Sequence, residues 1–149
     1  MKLRIYLDNC CFNRPFDSQD ELKVYLETQA KLFIQTLIKS SKVELASSYV
    51  LLFENSRNPY ESRKLSIRSF LVYNTSYFVS EEQNDEVIRI AAPIIETGIK
   101  KNDAFHVASA IISKCDYFIT TDKRLLKYTD ERIKLMNPID FLDIWEEDK

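Results

Sequence analysis

The stretch NDAFHVASAIISKCDYFITTD, residues 102–122, decides the fold of this chain. Its first half places apolar residues at i, i+3, i+4 and i+7, a spacing that predicts one buried face of a helix. These residues are Ala104, Val107, Ala108 and Ile111. Residues 116–120 contain aromatic and β-branched side chains and predict a strand. Asp103 therefore lies in the first turn of the helix. Asp122 directly follows the strand, at the kind of position where α/β sheets bind ligands.

Strands alternate with helices along the rest of the chain. The predicted strands outside the opening stretch cover residues 3–7, 43–46, 77–79 and 133–136. The longest helical pattern covers residues 18–40. A later helical pattern contains Pro93, which predicts a kink there or a break into two pieces. This alternation predicts an α/β fold with a parallel sheet covered by helices on both faces. No repeat or linker interrupts the 149 residues, which favours a single domain over residues 1–149.

Composition argues against several classes of protein. The net charge of −2 is not that of a strongly basic nucleic-acid binder, although it is compatible with a local basic patch. We expect no signal peptide and no membrane span, because no apolar run is long enough for either. Three cysteines, two of them adjacent, indicate reduced thiols rather than a disulfide framework. The expected location is therefore cytoplasmic.

Rare residue types narrow the chemistry further. With Gly98 as the only glycine, the chain can form neither a P-loop nor a dinucleotide fingerprint. His106 is the only histidine, which excludes a zinc site of several histidines, and no serine stands in a Gly-x-Ser-x-Gly motif. We predict that His106 is packed and hydrogen-bonded within the fold rather than a ligand or a base. Carboxylates remain as the abundant reactive groups.

Four carboxylates from distant parts of the chain are candidates for one site. Asp8 and Asp122 follow strands, Asp103 begins a helix, and Glu54 lies about two turns into the helix after the second strand. In a parallel sheet these positions meet at one edge. Like charges repel at such a site, and a divalent cation would remove the repulsion. Oxygen ligands favour Mg²⁺ or Mn²⁺, ions that neutralise phosphoryl oxygens and lower the pKa of a bound water.

Each of these acids also has a purely structural interpretation. Asp8 could start a turn, and Glu54 could lie on a solvated helix surface. Asp103 could act only as a favourable charge at a helix N-terminus, and Asp122 could cap the next helical turn. Asp116 precedes the strand and is predicted to make structural hydrogen bonds, so it is left out of the site.

The sequence resembles the PIN-domain family of metal-dependent ribonucleases over nearly its whole length. The resemblance rests on residues 5–8 (Ile-Tyr-Leu-Asp), Glu54, residues 103–108 (Asp-Ala-Phe-His-Val-Ala) and residues 116–122. It implies a Rossmann-like three-layer α/β/α sandwich with a central parallel sheet. It also implies a set of acidic metal ligands, namely Asp8, Glu54, Asp103 and Asp122.

The resemblance further implies a Mg²⁺- or Mn²⁺-dependent endoribonuclease that hydrolyses single-stranded RNA. Many small members of this family resemble toxins of type II toxin–antitoxin pairs, so a small antitoxin partner and a homodimer are expected. Members often have Thr or Ser after the first acid; here it is Asn9, which can still hydrogen-bond a carboxylate or a water. Thr120 and Thr121 are expected to orient Asp122 or a water on the metal.

Five basic residues flank the predicted site and could bind RNA phosphates, with ordinary surface charge as the alternative. They are Arg14, Lys100, Lys101, Lys123 and Arg124. Two other functions stay open. A haloacid-dehalogenase-like phosphatase needs an Asp-x-Asp pair, whereas Cys10 stands two residues after Asp8. A non-catalytic PIN-like module that binds RNA or protein would not need the four carboxylates.

Overall fold

A computed structural model of the protein describes residues 2–147, and the side chains of residues 2–146. Within that range, five parallel strands form one sheet in the order β3-β2-β1-β4-β5. The strands are β1 (Arg4–Leu7), β2 (Glu44–Ser48), β3 (Thr75–Val79), β4 (Tyr117–Ile119) and β5 (Lys134–Met136). The predicted parallel sheet is confirmed, and each predicted strand is present with small shifts in its ends.

Helices connect the strands and cover the sheet, which confirms the predicted Rossmann-like α/β fold. Of these, α2 packs against α7, and α5 packs against α6. The α-helices of the described range are α1 (Asn9–Asn13), α2 (Leu22–Lys39), α3 (Tyr49–Ser56), α4 (Glu61–Asn74), α5 (Asn84–Glu96), α6 (Lys101–Ile112) and α7 (Pro138–Glu147). Short 3-10 turns cover Arg14–Phe16, Glu81–Gln83 and Leu125–Lys127. No helix in residues 2–147 combines the length and apolar character needed to cross a bilayer.

Strand β1 is the centre of the sheet and of the core. Ile5, Tyr6 and Leu7 are completely buried, as expected for a strand with helices on both faces. β1 pairs with β2 on one side and with β4 on the other. The carboxyl ends of β1 and β4 are therefore adjacent, and the backbone N–H of Asp8 donates to the carbonyl of Ile119 at 2.9 Å. This pairing brings the start and the last third of the chain to one edge.

The helix predicted from residue 18 begins only at Leu22. Gln19 donates through its side-chain amide to the carbonyls of Arg14 at 3.1 Å and Asp17 at 2.8 Å. Ser18 donates to the carboxylate of Asp20 at 3.3 Å. Local side-chain bonds of this kind compete with the first helical turn, so the segment before Leu22 folds as a loop.

Helix α5 continues through Pro93 and does not break into two pieces, so that alternative was wrong. Proline removes one helical hydrogen bond, which leaves the carbonyl four residues earlier, at Arg89, without its donor. Both Pro93 and Arg89 are exposed, so water can bond that carbonyl. The buried face of α5 contains Val87, Ile90, Ala91 and Ile94, and its packing holds the helix together.

A hydrogen-bonded acid near β5 gives the fold a pH-dependent contribution to stability. The Asp130 carboxylate accepts from Arg132 Nε at 3.0 Å, from Arg132 Nη2 at 2.9 Å and from the Tyr128 hydroxyl at 2.6 Å. The bonds from Arg132, with a smaller one from Tyr128, lower the pKa of Asp130 from 3.8 to about 2 despite its partial burial.

We predict that Asp130→Asn lowers the free energy of unfolding by about 1 kcal/mol at neutral pH. Because the folded carboxyl is more acidic than the unfolded one, its contribution is complete above a pH of about 4 and is lost as the pH falls through about 2. Urea denaturation of both proteins at several pH values measures the difference. Glu131→Gln, at an exposed neighbour, is the control and should leave stability unchanged. A difference that does not shrink in acid would contradict this account.

Candidate active site

Asp8 belongs to an acidic cluster at the carboxyl edge of the sheet, and its neighbours hold it in one orientation. It follows β1, is buried, and caps α1 by accepting from the backbone N–H of Asn9 at 2.8 Å. The hydroxyl of Thr120, just beyond β4, donates to its other carboxylate oxygen at 2.8 Å. The Cys10 thiol donates to the same oxygen at 3.5 Å. Groups from two neighbouring strand ends therefore set the orientation of this carboxylate.

Glu54 reaches the same cluster from helix α3. Its carboxylate accepts from the side-chain amide of Asn102, at the start of α6, and lies 3.4 Å from Nε2 of His106. Burial would raise the pKa of Glu54, but His106, Asn102 and Asn9 stabilise the charged form and bring the pKa below its usual value. The helical Glu54 is thus half-buried and held by polar partners, not a solvated surface side chain.

Asp103 lies in the first turn of α6 and feels the charge of the other acids. Its pKa rises from 3.8 to about 6, first because of partial burial and then because of Asp8 and Asp122. Glu54 adds to the rise, and His106 opposes it. The four predicted carboxylates come from four separate elements, and in this fold Asp8, Asp122 and Glu54 lie close enough to disfavour the charged form of Asp103.

Asp122 combines a capping role with its place in the cluster. Its carboxylate oxygen Oδ1 accepts from the backbone N–H groups of Arg124 at 2.9 Å and Leu125 at 3.4 Å. Its own backbone N–H donates to the Thr120 hydroxyl at 3.1 Å. Thr120 therefore connects the loop that contains Asp122 to the carboxylate of Asp8. The capping and cluster interpretations of Asp122 are compatible.

His106 is completely buried beneath the acids. Its Nδ1 lies 2.7 Å from the Tyr6 hydroxyl, which in turn lies 2.7 Å from the Ser48 hydroxyl. Burial alone would lower the pKa of His106, but Glu54, Asp8 and Asp103 outweigh it and raise the pKa. The histidine is packed, as predicted. Its Nε2 nevertheless lies beside the Glu54 carboxylate, a proximity that the sequence analysis missed.

The donor set fits a divalent cation. Asp8, Glu54 and His106 each offer one ligand atom, and these atoms lie within 4.8 Å of one another. Asn9 adds a buried amide oxygen that has no hydrogen-bond partner among the described residues. Carboxylate and amide oxygens are ligands for Mg²⁺ or Mn²⁺, and an imidazole nitrogen is accepted by Mn²⁺ more readily than by Mg²⁺. Asp103 and Asp122 lie outside this tight group, and the effect of Asp8 and Asp122 on the pKa of Asp103 indicates that they lie near it.

The predicted supporting residues have different contacts from those expected. Thr120 orients the Asp8 carboxylate directly and bonds only the backbone of Asp122. Thr121 is buried, and its backbone N–H lies 3.4 Å from the Cys10 sulfur. The backbone N–H of Asn9 donates to Asp8, and the Asn9 side chain helps to lower the pKa of Glu54.

The five basic residues fall into two groups. Arg14 forms ion pairs with two nearby acids: its guanidinium lies 2.8 Å from the buried Glu27 and 3.0 Å from Asp17. The other four are exposed and stand next to cluster residues in the chain. Lys100 and Lys101 precede Asp103, and Lys123 and Arg124 follow Asp122.

Two contributors beyond His106 were missed from the sequence. Asn102 bonds Glu54, and Tyr6 bonds His106. A signal for Tyr6 existed, because side chains two residues apart on a strand point to the same face and Tyr6 stands two residues before Asp8. Asn102 carries no comparable signal, since a polar residue at a helix start is common.

Together, the fold and the cluster define an α/β protein with an acidic site at the carboxyl edge of a parallel sheet. The profile of the PIN domain family matches residues 5–131. The chain belongs to the PIN domain family. Among curated proteins, none matches this sequence.

Solved structures share the fold at low sequence identity. VapBC2 from Rickettsia felis, bound to a DNA fragment from their promoter, gives a TM-score of 0.54 and 13% identity over 91% of this chain and 98% of that chain. FitAcB from Neisseria gonorrhoeae gives a TM-score of 0.55 and 18% identity over 90% of this chain and 97% of that chain. FitAB bound to the IR36 DNA fragment gives a TM-score of 0.56 and 16% identity over 91% of this chain and 95% of that chain.

Because the acids repel one another, we predict that Asp103→Asn affects stability differently with and without metal. In EDTA at pH 7.5, Asp103→Asn should raise the free energy of unfolding by about 1 kcal/mol, a value reduced for the partial exposure of the group. The pKa of about 6 means that this advantage fades as the pH falls from 6 to 4, where the wild-type carboxyl becomes protonated. Mn²⁺ should stabilise the wild type and have little effect on the variant.

Thermal and urea unfolding, with and without Mn²⁺, measure both effects. Asp143→Asn, at an exposed position of α7, is the matched control and should change neither. Destabilisation of the metal-free protein by Asp103→Asn would contradict the repulsion, and an unchanged response to Mn²⁺ would contradict the ligand assignment.

Proposed function

We propose that this chain is a Mg²⁺- or Mn²⁺-dependent endoribonuclease that hydrolyses phosphodiester bonds of single-stranded RNA. The observation that supports it is the convergence of Asp8, Glu54 and His106, whose potential ligand atoms lie within 4.8 Å of one another. Asp103 lies near them, and its pKa is raised first by burial and then by Asp8 and Asp122. A fold that holds acids together against their repulsion is suited to a doubly charged cation. Membership of the PIN domain family supports nuclease chemistry at this site.

The residues of the chain have separable roles in this proposal. Asp8, Glu54 and Asp103 would hold the cation, together with Asp122, and Thr120 would keep Asp8 in its orientation. When bound, such a cation neutralises charge on the phosphoryl oxygens and makes water a better nucleophile. The exposed Lys100, Lys101, Lys123 and Arg124 would attract the RNA backbone from both sides of the acids.

His106 would act as a positioning residue. It is completely buried, and the Tyr6 hydroxyl fixes its ring, so its Nε2 holds the Glu54 carboxylate on the cluster side of α3. The proton on His106 is retained to a higher pH than in an isolated histidine, because three carboxylates favour it.

Cleavage of a single-stranded RNA by the purified protein tests the proposal. We expect cutting in Mn²⁺ or Mg²⁺ and none in EDTA. Asp8→Asn and Asp103→Asn should each reduce the rate by at least about 100-fold, because each removes a charge that the cation requires. Asp143→Asn should cleave like the wild type. Circular dichroism of each variant establishes that the fold is retained.

Full activity in both site variants would refute this mechanism. A protein that binds RNA but neither binds Mn²⁺ nor cleaves would instead be a non-catalytic PIN-like module. An aspartyl-phosphate trapped at Asp8 would favour a phosphatase.

We further propose that the nuclease is the toxin of a type II toxin–antitoxin pair and works in the cytoplasm with a small antitoxin, as a homodimer. Support comes from the similar folds of VapBC2 and FitAB, which are described in complexes with DNA. Exposed apolar side chains on α2, namely Leu22, Tyr25, Leu26, Leu32 and Phe33, offer surface for protein partners.

Induced expression of the wild-type chain alone should arrest growth, and induced Asp8→Asn should not. Purification from the native source should recover a small partner protein, and its removal should release the nuclease activity. Normal growth on wild-type expression, with cleavage intact in vitro, would separate the nuclease from the toxin role and contradict only the latter.

A further inference from the structure

A cavity of about 670 Å³ adjoins the acidic cluster. It lies where three helices begin, because its lining includes Tyr49 of α3, Asn84 of α5 and both Lys101 and Asn102 of α6. Phe53 and Phe105 supply the remaining aromatic wall. Phe53, in the wall of this cavity, is exposed to solvent.

The aromatic lining suits a flat ring. Phe53 is 58% exposed, so its ring is accessible to a ligand. The Arg57 guanidinium lies 4.8 Å from the Phe53 ring centroid, which places positive charge beside the ring. Lys101 Nζ lies 5.5 Å from the centroid of Phe105. Aromatic rings interleaved with cations are the surface on which unpaired bases of single strands stack.

Polar groups in the same cavity suit the edge of a base. The Tyr49 hydroxyl donates to the side-chain oxygen of Asn84, so the amide NH₂ of Asn84 is the group that it can offer to a ligand. Asn102 donates to Glu54, so its amide oxygen is the group that it can offer. Glu81 adds a carboxylate acceptor for an exocyclic amino group. Donors and acceptors of this kind read base edges that are not paired.

The cavity is joined to the acids through the chain itself. Phe53 precedes Glu54, and Asn102 precedes Asp103, so two lining residues are neighbours of two proposed ligands. Asn102 also bonds Glu54 directly. A nucleotide that occupied the cavity would therefore place an adjoining phosphate towards the cluster.

We propose that this cavity is a base-binding subsite, in which one unstacked base of the substrate RNA stacks against Phe53 while Lys101 contacts a neighbouring phosphate. The inference rests on the proposed nuclease function, because it assigns the same site a substrate contact. A base and its phosphate would account for the exposed aromatic ring and the lysine in one cavity. Asn84, Asn102 and Glu81 would then determine which base is preferred.

A base-stacking test separates this subsite from the chemistry. The probe is a single-stranded pentaadenylate RNA with one 2-aminopurine, used with the full chain in EDTA so that cleavage does not intervene. Stacking quenches 2-aminopurine, so the wild type should quench it at one position of the pentamer. Phe53→Leu should weaken binding by about 5- to 30-fold and abolish that quench, whereas Phe53→Trp should retain both.

Phe16→Leu is the matched control, because Phe16 is 42% exposed, has the Arg63 guanidinium 4.8 Å from its ring centroid, and does not line the cavity. It should bind and quench like the wild type. Quenching by Phe53→Leu equal to that of the wild type, or no quenching by the wild type at any position, would overturn the subsite.

The phosphate contact has its own readout. Lys101→Gln should reduce the slope of log Kd against log salt concentration by about 0.7, the value for one phosphate of a single strand. Lys114→Gln, at the opposite end of α6, should leave the slope unchanged. Equal slopes for the two variants would remove Lys101 from the subsite.

Kinetics distinguish a failed subsite from a failed nuclease proposal. In Mn²⁺, Phe53→Leu should raise KM by the same factor as the loss of binding and leave kcat within about twofold, because stacking contributes equally to ground and transition states. A wild type that quenches the probe but never cleaves would refute the nuclease and retain a base-binding cavity. Cleavage by Phe53→Leu with unchanged KM would refute the subsite and retain the nuclease.

Discussion

The candidate site depends on one constraint: carboxylates that repel one another are held close together at the carboxyl edge of the sheet. Asp8, Glu54, Asp103 and Asp122 come from different elements, and the pKa of Asp103 is raised by its partial burial and then by the charges of the other three. In a flexible chain these carboxylates would move apart. Here a buried five-stranded sheet fixes the ends of β1 and β4 side by side, so packing of the core holds the charges in place.

Polar contacts then set the orientation of these acids. Asp8 accepts hydrogen bonds from Thr120 and Asn9, and Glu54 accepts one from Asn102 and lies 3.4 Å from His106 Nε2. Burial alone would lower the pKa of the buried His106, but Glu54, Asp8 and Asp103 outweigh it and raise the pKa. If the proposed function is correct, this arrangement trades stability of the metal-free protein for readiness to bind a cation.

Local sequence patterns predicted most helices and strands. The predictions that were wrong have local causes. The predicted start of α2 was too early, because side-chain bonds of Gln19 and Ser18 favour a loop. The possibility of a break at Pro93 was wrong, because the exposed carbonyl of Arg89 can bond water while the opposite face of α5 packs in the core. Neither the partner of Arg14 nor the environment of His106 follows from periodicity, since both depend on residues far away in the chain.

By itself, the sequence determined the alternation of strands and helices, the parallel sheet, and the positions of Asp8, Asp103 and Asp122 at element ends. These depend on periods of two and 3.6 residues and on turn-forming residues, all of which are short-range properties. Only the tertiary structure decided that Nε2 of His106 faces Glu54, that Thr120 orients Asp8, and that Phe53 and Lys101 share a cavity. The physical reason is that side-chain contacts at about 3 Å depend on how elements pack, and packing is set by the whole core rather than by any one segment.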